Sequence, residues 1–269
     1  MSVRNPILNQ RYHSVMSPVD FLNAIAHRPF PIPDGHWVMQ QTWHDLLFAH
    51  WELDAESVRP ALPAPLRPFL DSFEGHAWVG VIPFWMSGVR FRGCPPIPGM
   101  SQFAELNIRT YVNVQGKPGV YFFSLDAESL LAVWGARAGY NLNYVHASMS
   151  VKHAVDGAIH YNSQRHRSQG PAEFEARYGQ VIDPPQTSHP GSFEHFATER
   201  YCLYTANGRG NILRGNIHHL PWKLQPAFAE IGRNTMTAPA GIVLPETAPR
   251  LHFAKKMDVV VWWPESVAL

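Results

Sequence analysis

The segment Phe103 to Val114 alternates more strictly than any other part of the chain. Ala104, Leu106, Ile108, Thr110, Val112 and Val114 share one side; Phe103, Glu105, Asn107, Arg109, Tyr111 and Asn113 share the other. Successive side chains of a strand point to opposite faces, whereas a helix would scatter this pattern around its axis. A long strand is therefore predicted here. The rest of the chain must pair its edges and cover its aliphatic face.

The neighbouring sequence supplies such partners. Gly116-Lys117-Pro118-Gly119 predicts a turn into a second strand, Val120 to Leu125. Upstream, a strand is expected between Trp37 and Leu53, then a short helix capped by Asp54 and ending before Pro63. Trp78 to Ile82 reads as a strand stopped by Pro83, and Gly93 to Gly99 as a loop. Asp126 reads as the cap of a helix through Leu130, Leu131 and Trp134 that ends at Gly139, lying beside the strands. Strands are expected at Asn143 to Val151 and Ala158 to Arg167 around an Asp156-Gly157 turn, then a short helix at Glu173 to Tyr178 and a loop at Asp183 to Pro190. Glu199 to Thr205 and Ile212 to His219 form a hairpin across Asn207-Gly208. A loop at Pro221 to Pro226 precedes a last strand, Leu251 to Trp263. This succession predicts a mainly β protein with a few helices (α+β), a closed antiparallel β-barrel or a sandwich rather than a doubly wound sheet. Residues 1–36 read as an irregular N-terminal segment and 37–269 as a single domain.

Composition narrows the function. With 22 basic and 21 acidic residues, net charge +1, the chain carries no electrostatic signature of nucleic acid or an anionic membrane as partner. Cys94 and Cys202, its two cysteines, are too few for a disulfide framework or a thiolate zinc site. Met1 to Phe21 has no continuous apolar core of the signal-peptide kind, and no run approaches the ~18 apolar residues of a membrane span. A cytoplasmic protein with a small-molecule ligand is expected, its self-association left open. No Gly-x-Gly-x-x-Gly, phosphate loop or His-Glu-x-x-His motif is present, so no cofactor and no metal is expected. Adjacent His218 and His219 would face opposite ways on a strand, which leaves His44, His50 and Glu199 as the one composite metal arrangement to consider.

Glu105 and Arg109 stand four residues apart on one strand face, with Asn107 between and Tyr111 beyond. Turned inward, Arg109 and Tyr111 would bind a substrate carboxylate and Glu105 would act as acid or base. Turned outward, the same face would simply be solvated. Tyr144 and His146 share a face of a later strand and offer a hydroxyl donor and a group that titrates near neutrality, or a structural histidine. Ser163, Arg165 and Arg167 read equally as a solvated edge.

Several blocks resemble the YqjF-like bacterial proteins, an uncharacterised family of the acetoacetate decarboxylase-like superfamily. They are Gln41 to Trp51, Phe103 to Tyr111, Gly119 to Asp126, Thr198 to Tyr204, His218-His219 with Pro221-Trp222, and His252-Phe253-Ala254. The resemblance spans roughly residues 37 to 264 and implies a closed β-barrel around a ligand-sized cavity. In the decarboxylase an amine, made nucleophilic by a second lysine, forms a Schiff base with a β-keto acid. That lysine pair falls on Tyr144-Val145 here, while the pocket glutamate corresponds to Glu105. The chain's lysines are Lys117, Lys152, Lys223, Lys255 and Lys256; the one adjacent pair, Lys255-Lys256, reads as two exposed residues guarding a strand edge. The resemblance implies no reaction, the family being functionally undescribed; the polar side chains themselves suggest acid–base chemistry without an imine on an oxo- or carboxyl-bearing metabolite, as in a lyase, isomerase or hydratase, with Glu105, Tyr144 and His146 catalytic. The alternative is a non-catalytic barrel that binds a small ligand.

Overall fold

The computed structural model describes residues 18–96, 101–129, 141–166, 170–207 and 210–268, with side chains from residue 21 onward. In chain order the elements are α1 (Pro18–Asn23), β1 (Met39–Leu53), α2 (Ala55–Val58), β2 (Ala77–Phe91), β3 (Phe103–Val114), β4 (Lys117–Ala127), β5 (Tyr144–His153), β6 (Ile159–Arg165), β7 (Glu173–Gln180), β8 (Gln186–Thr187), α3 (Phe193–Thr198), β9 (Cys202–Ala206), β10 (Ile212–His218), β11 (Lys223–Asn234), β12 (Arg250–Val261) and β13 (Glu265–Val267). The protein is mainly β with few helices.

β3 has the bounds its alternation predicts. Its hairpin with β4 turns at Gln115-Gly116, both at positive φ, rather than at the Lys-Pro-Gly that follows. Asp54 caps α2 by accepting from the Glu56 amide. Hydrogen-bonded neighbours run from β1 through β2 and β3 to β4. β9 then pairs with β4 on one side and β10 on the other, and β12 joins β10 back to β1. Gly119 permits the β4–β9 approach: a Cβ there would lie 2.7 Å from the Cys202 carbonyl oxygen.

Six expectations are corrected. The sheet is not antiparallel throughout, because β4 pairs in parallel with both β5 and β9. β2 runs straight through Pro83, which pairs with Leu106 of β3, and the missing proline N–H coincides with the interruption of the ladder to β1 between His44 and Ala49. Glu173 to Tyr178 is strand β7, since Phe174, Ala176 and Tyr178 alternate inward between β6 and β11, and cross-strand packing overrides the helix propensity of Glu, Ala and Arg. Pro226, taken for a loop residue, lies within β11 where that strand passes from β12 to β7. Asp126 is not a cap: it is buried in β4 and accepts a bidentate pair from the Arg165 guanidinium at 2.6 and 2.8 Å. Arg165 and Ser163 are accordingly buried rather than a solvated edge. The expected helix through Leu130 to Gly139 and Arg167 lie outside the described residues.

The aliphatic face of β3 (Ala104, Leu106, Ile108) joins Leu47, Ala49, Val79 and Val81 of β1 and β2 in a core against Tyr161, Phe174, Ala176 and Tyr178 of β6 and β7. Each fully buried side chain of this size contributes about 1.5–3 kcal/mol. That burial settles the orientation of β3, and its polar face is turned to the opposite side.

Candidate functional site

Glu105, Asn107 and Arg109 line one cavity of about 110 Å³. Trp43 and Leu46 of β1, Ile82 and Phe84 of β2, Val120 and Phe122 of β4, Tyr144 of β5 and Trp222 contribute to its walls. Most of the lining is aromatic or aliphatic, so the few polar groups act in a poorly hydrated space.

Glu105 is buried, and its Oε2 accepts from the Tyr144 hydroxyl at 2.8 Å. Burial raises its pKa to about 8, although the hydrogen bonds of Tyr144 and Asn107 pull the other way and Asp126 adds to the rise. At neutral pH Glu105 is therefore chiefly a neutral acid with a transferable proton. Burial and the adjoining Glu105 hold the Tyr144 phenol well above its ordinary value, so it stays a donor.

Arg109 donates from Nη2 to the Ala197 carbonyl at 3.1 Å and lies over the Phe48 and Tyr111 rings. Among the described residues no ion pair neutralises it, and its Nε is buried without a partner. The other cavity-lining guanidinium, Arg200, is already committed to Asp71 at 2.7 Å and to the Phe196 carbonyl. Arg109 is thus the cavity-lining cation without an ion pair among the described residues, which suits it to a carboxylate.

Tyr111 and His146 are not among the lining residues, which corrects the expectation that both reach the cavity. Tyr111 is fully buried, with its hydroxyl 2.5 Å from His50 Nε2 and its ring beneath Arg109 and Arg200. Burial keeps His50 well below its ordinary pKa, with the Arg109 charge adding to the effect, so it is neutral. His146 shares its face with Tyr144, but β5 leaves β4 at the pairing of His146 with Ala127, and the imidazole stacks on His166 at 4.5 Å.

The composite metal arrangement does not assemble. His44 stacks on Trp85 and bonds Ser87, His50 is held by Tyr111, and Glu199 accepts from the Tyr201 hydroxyl and the Trp222 amide. Among the described residues no group of three His, Cys, Asp or Glu side chains is placed to hold an ion. Lys255 and Lys256 are exposed and do not line the cavity. Their strand is not an edge either: β12 lies between β1 and the pair β10 and β11. Lys255 reaches Asp45 Oδ1 at 2.5 Å, and Lys256 pairs with Asp258.

Thr198, Arg200, His219 and Trp222 line the cavity without having been expected there. They come from the end of α3 and from the segments around β9 and β10; Arg200 and His219 fell within expected strands, but nothing in those strands pointed to this cavity. In the sequence His218-His219 stood out as a rejected metal pair and a block of resemblance, and Pro221-Trp222 only as such a block. Burial holds His219 at about 3, its ring lying against the Leu220 and Arg200 carbonyls.

The family model of DUF2071, described as an uncharacterized conserved protein, matches residues 40–258. The chain belongs to this family. A relative from Bacillus subtilis, the uncharacterized protein YqjF, is 48% identical over 231 residues, 86% of this chain and 93% of the relative. Among solved structures, the acetoacetate decarboxylase of Legionella pneumophila superposes with a TM-score of 0.58 at 12% identity, over 92% of this chain and 94% of that one. The enduracididine biosynthesis enzyme MppR, complexed with a condensation product of pyruvate and imidazole 4-carboxaldehyde, gives 0.59 at 11%, over 85% and 88%. These likenesses show that the family member has the acetoacetate decarboxylase-like fold. No helix among the described residues is long and apolar enough to cross a membrane.

Proposed function

We propose that the ring of strands acts as a closed barrel whose cavity takes a small carboxylate bearing a carbonyl or related oxygen and acts on it by acid–base chemistry. The observation that supports this most is the pairing in one apolar cavity of a guanidinium with no ion pair among the described residues, Arg109, with a neutral carboxylic acid, Glu105. Arg109 anchors the carboxylate. Glu105 delivers or removes the proton, and Tyr144 orients its carboxyl. Tyr111 acts from behind, setting the position of Arg109. No lysine lines the cavity, so the chemistry runs without an imine. Fold neighbours described with pyruvate bound favour a ligand of this class.

Proton exchange tests the reading. The protein is incubated in D2O with short 2-oxo and 3-oxo acids, and loss of the proton next to the carbonyl is followed by NMR. Enzyme-dependent exchange that disappears in Glu105→Gln supports the proposal; saturable binding with no exchange replaces it with a binding barrel, which the mostly apolar lining also suits.

A further inference from the structure

The register of β2 orders the residues that line the cavity. Arg109 stands opposite Gly80 of β2 and Glu105 opposite Phe84, whereas Met39 stands opposite Phe91, seven residues further along. That places Met39 roughly 20 Å of strand beyond Glu105. All three nonetheless line the one cavity. The cavity is therefore elongated, with the Arg109 guanidinium toward one end and Met39 toward the other.

The Met39 end is apolar. Ile217 of β10, Val261 of β12, Met39 of β1 and Phe91 of β2 stand opposite one another in a single row, so their side chains share a face. The first three line the cavity; Phe91, 53% exposed, carries the same face out to solvent. Trp43 lines the cavity four residues along β1 from Met39. Between them Gln41 spends its amide on these neighbours: its Oε1 accepts from Trp43 Nε1 at 2.8 Å, and its Nε2 donates to the Met39 sulfur at 3.6 Å. A polar ligand group placed here would be desolvated against hydrocarbon, whereas each methylene placed here is stabilised by burial. The cavity volume of about 110 Å³ is less than the ~150 Å³ that holds a benzene ring. Spread over this length, it fits a slender chain and not a ring.

We infer that the cavity takes a straight-chain oxo acid, its carboxylate on Arg109 and its alkyl tail running past Glu105 and Trp43 toward Met39, Ile217 and Val261. This rests on the carboxylate site proposed above and specifies its substrate class. The tail, not the head group, separates the ligand from pyruvate and other short oxo acids.

Calorimetric titration of the full chain with 2-oxobutanoate, 2-oxohexanoate, 2-oxooctanoate and phenylpyruvate decides the matter. Each added methylene is expected to tighten binding about two- to fourfold, and phenylpyruvate to bind more weakly than 2-oxooctanoate. Met39→Gln, close in shape but polar, is expected to lower the ratio of 2-oxooctanoate to 2-oxobutanoate affinity about threefold or more. Equal affinity along the series overturns the inference on the unaltered protein alone. Phenylpyruvate binding as tightly as 2-oxooctanoate overturns it too, as does a ratio that Met39→Gln leaves unchanged. If 2-oxobutanoate binds in an Arg109-dependent way and the longer acids gain nothing, only this inference falls. If no acid binds, the carboxylate site falls with it.

Discussion

The Tyr144 hydroxyl donates to Glu105 Oε2 at 2.8 Å, joining β5 to β3 across the intervening β4. The bond favours the ionised carboxyl and opposes the effect of burial. Tyr144→Phe removes that support, so the Glu105 pKa should rise above its value of about 8. Carbon-13 NMR titration of the labelled carboxyl measures it directly. A fall in the pKa would mean that the tyrosine does not hold the charged form.

Glu105 also imposes a pH dependence on stability. Its folded pKa is raised from 4.5 to about 8, so the folded state binds its proton more tightly than the unfolded chain does. That contribution is fully present below about pH 4.5, declines between there and about pH 8, and is lost above. Glu105→Gln should remove this part of the slope and gain most on the wild type in alkaline solution. Urea midpoints at pH 5 and pH 9 check this; an identical pH slope in both proteins would refute it.

Arg109 should matter to ligand more than to folding. It is half-buried, makes no ion pair among the described residues, and hydrogen-bonds the Ala197 carbonyl and the Tyr111 side chain. Arg109→Met keeps much of the stem that packs against Phe48 and removes the charge. The expected result is a loss of small-carboxylate affinity of about ten- to a hundredfold, the size of a charge-assisted hydrogen bond, with a Tm within a few degrees of wild type. A collapse of stability with unchanged affinity would reverse the assignment.

Much of the fold is legible in the sequence because its strongest strand settles an orientation. The aliphatic side of β3 has to be covered, and once β6 and β7 cover it Glu105, Asn107 and Arg109 face the cavity. Phase alone could not choose between a cavity and solvent on that side. His146 shows where phase fails: it predicts the same face as Tyr144 but not the point at which β5 turns away from β4. Asp126 shows the limit of local signals. An aspartate after a strand reads as a helix cap, while its partner Arg165 is 39 residues distant and lies across β5. Trp222 comes from an expected loop, and Arg200 from an expected strand that starts only after it, at Cys202, so neither pointed to the cavity.

Asp45 carries the last prediction. It lies in the stretch of β1, between His44 and Ala49, where the register to β2 shifts, and its φ of 53 is a region non-glycine residues rarely occupy. Its carboxylate is buried yet accepts from Lys255 Nζ, Trp85 Nε1 and His153 Nε2, which ties β1 to β12, β2 and β5. Burial alone would raise the pKa, but these bonds outweigh it and hold the group below its ordinary value. A depressed folded pKa gives stability that is present above the unfolded value and lost as pH falls through the folded one. Asp45→Asn keeps the backbone bond from Tyr178 to the Asp45 carbonyl and removes the charge. Lys255 is largely exposed, so its share is screened, and a loss of about 1–3 kcal/mol at pH 7 is expected from the buried hydrogen bonds. The deficit should shrink as the pH falls below the unfolded value of about 4 and toward the lower folded one, where the wild type loses the same bonds. Denaturant titrations of both proteins at pH 7 and pH 3 measure the two differences. A deficit that is equal at both pH values would place the role of Asp45 in its backbone conformation rather than in its charge.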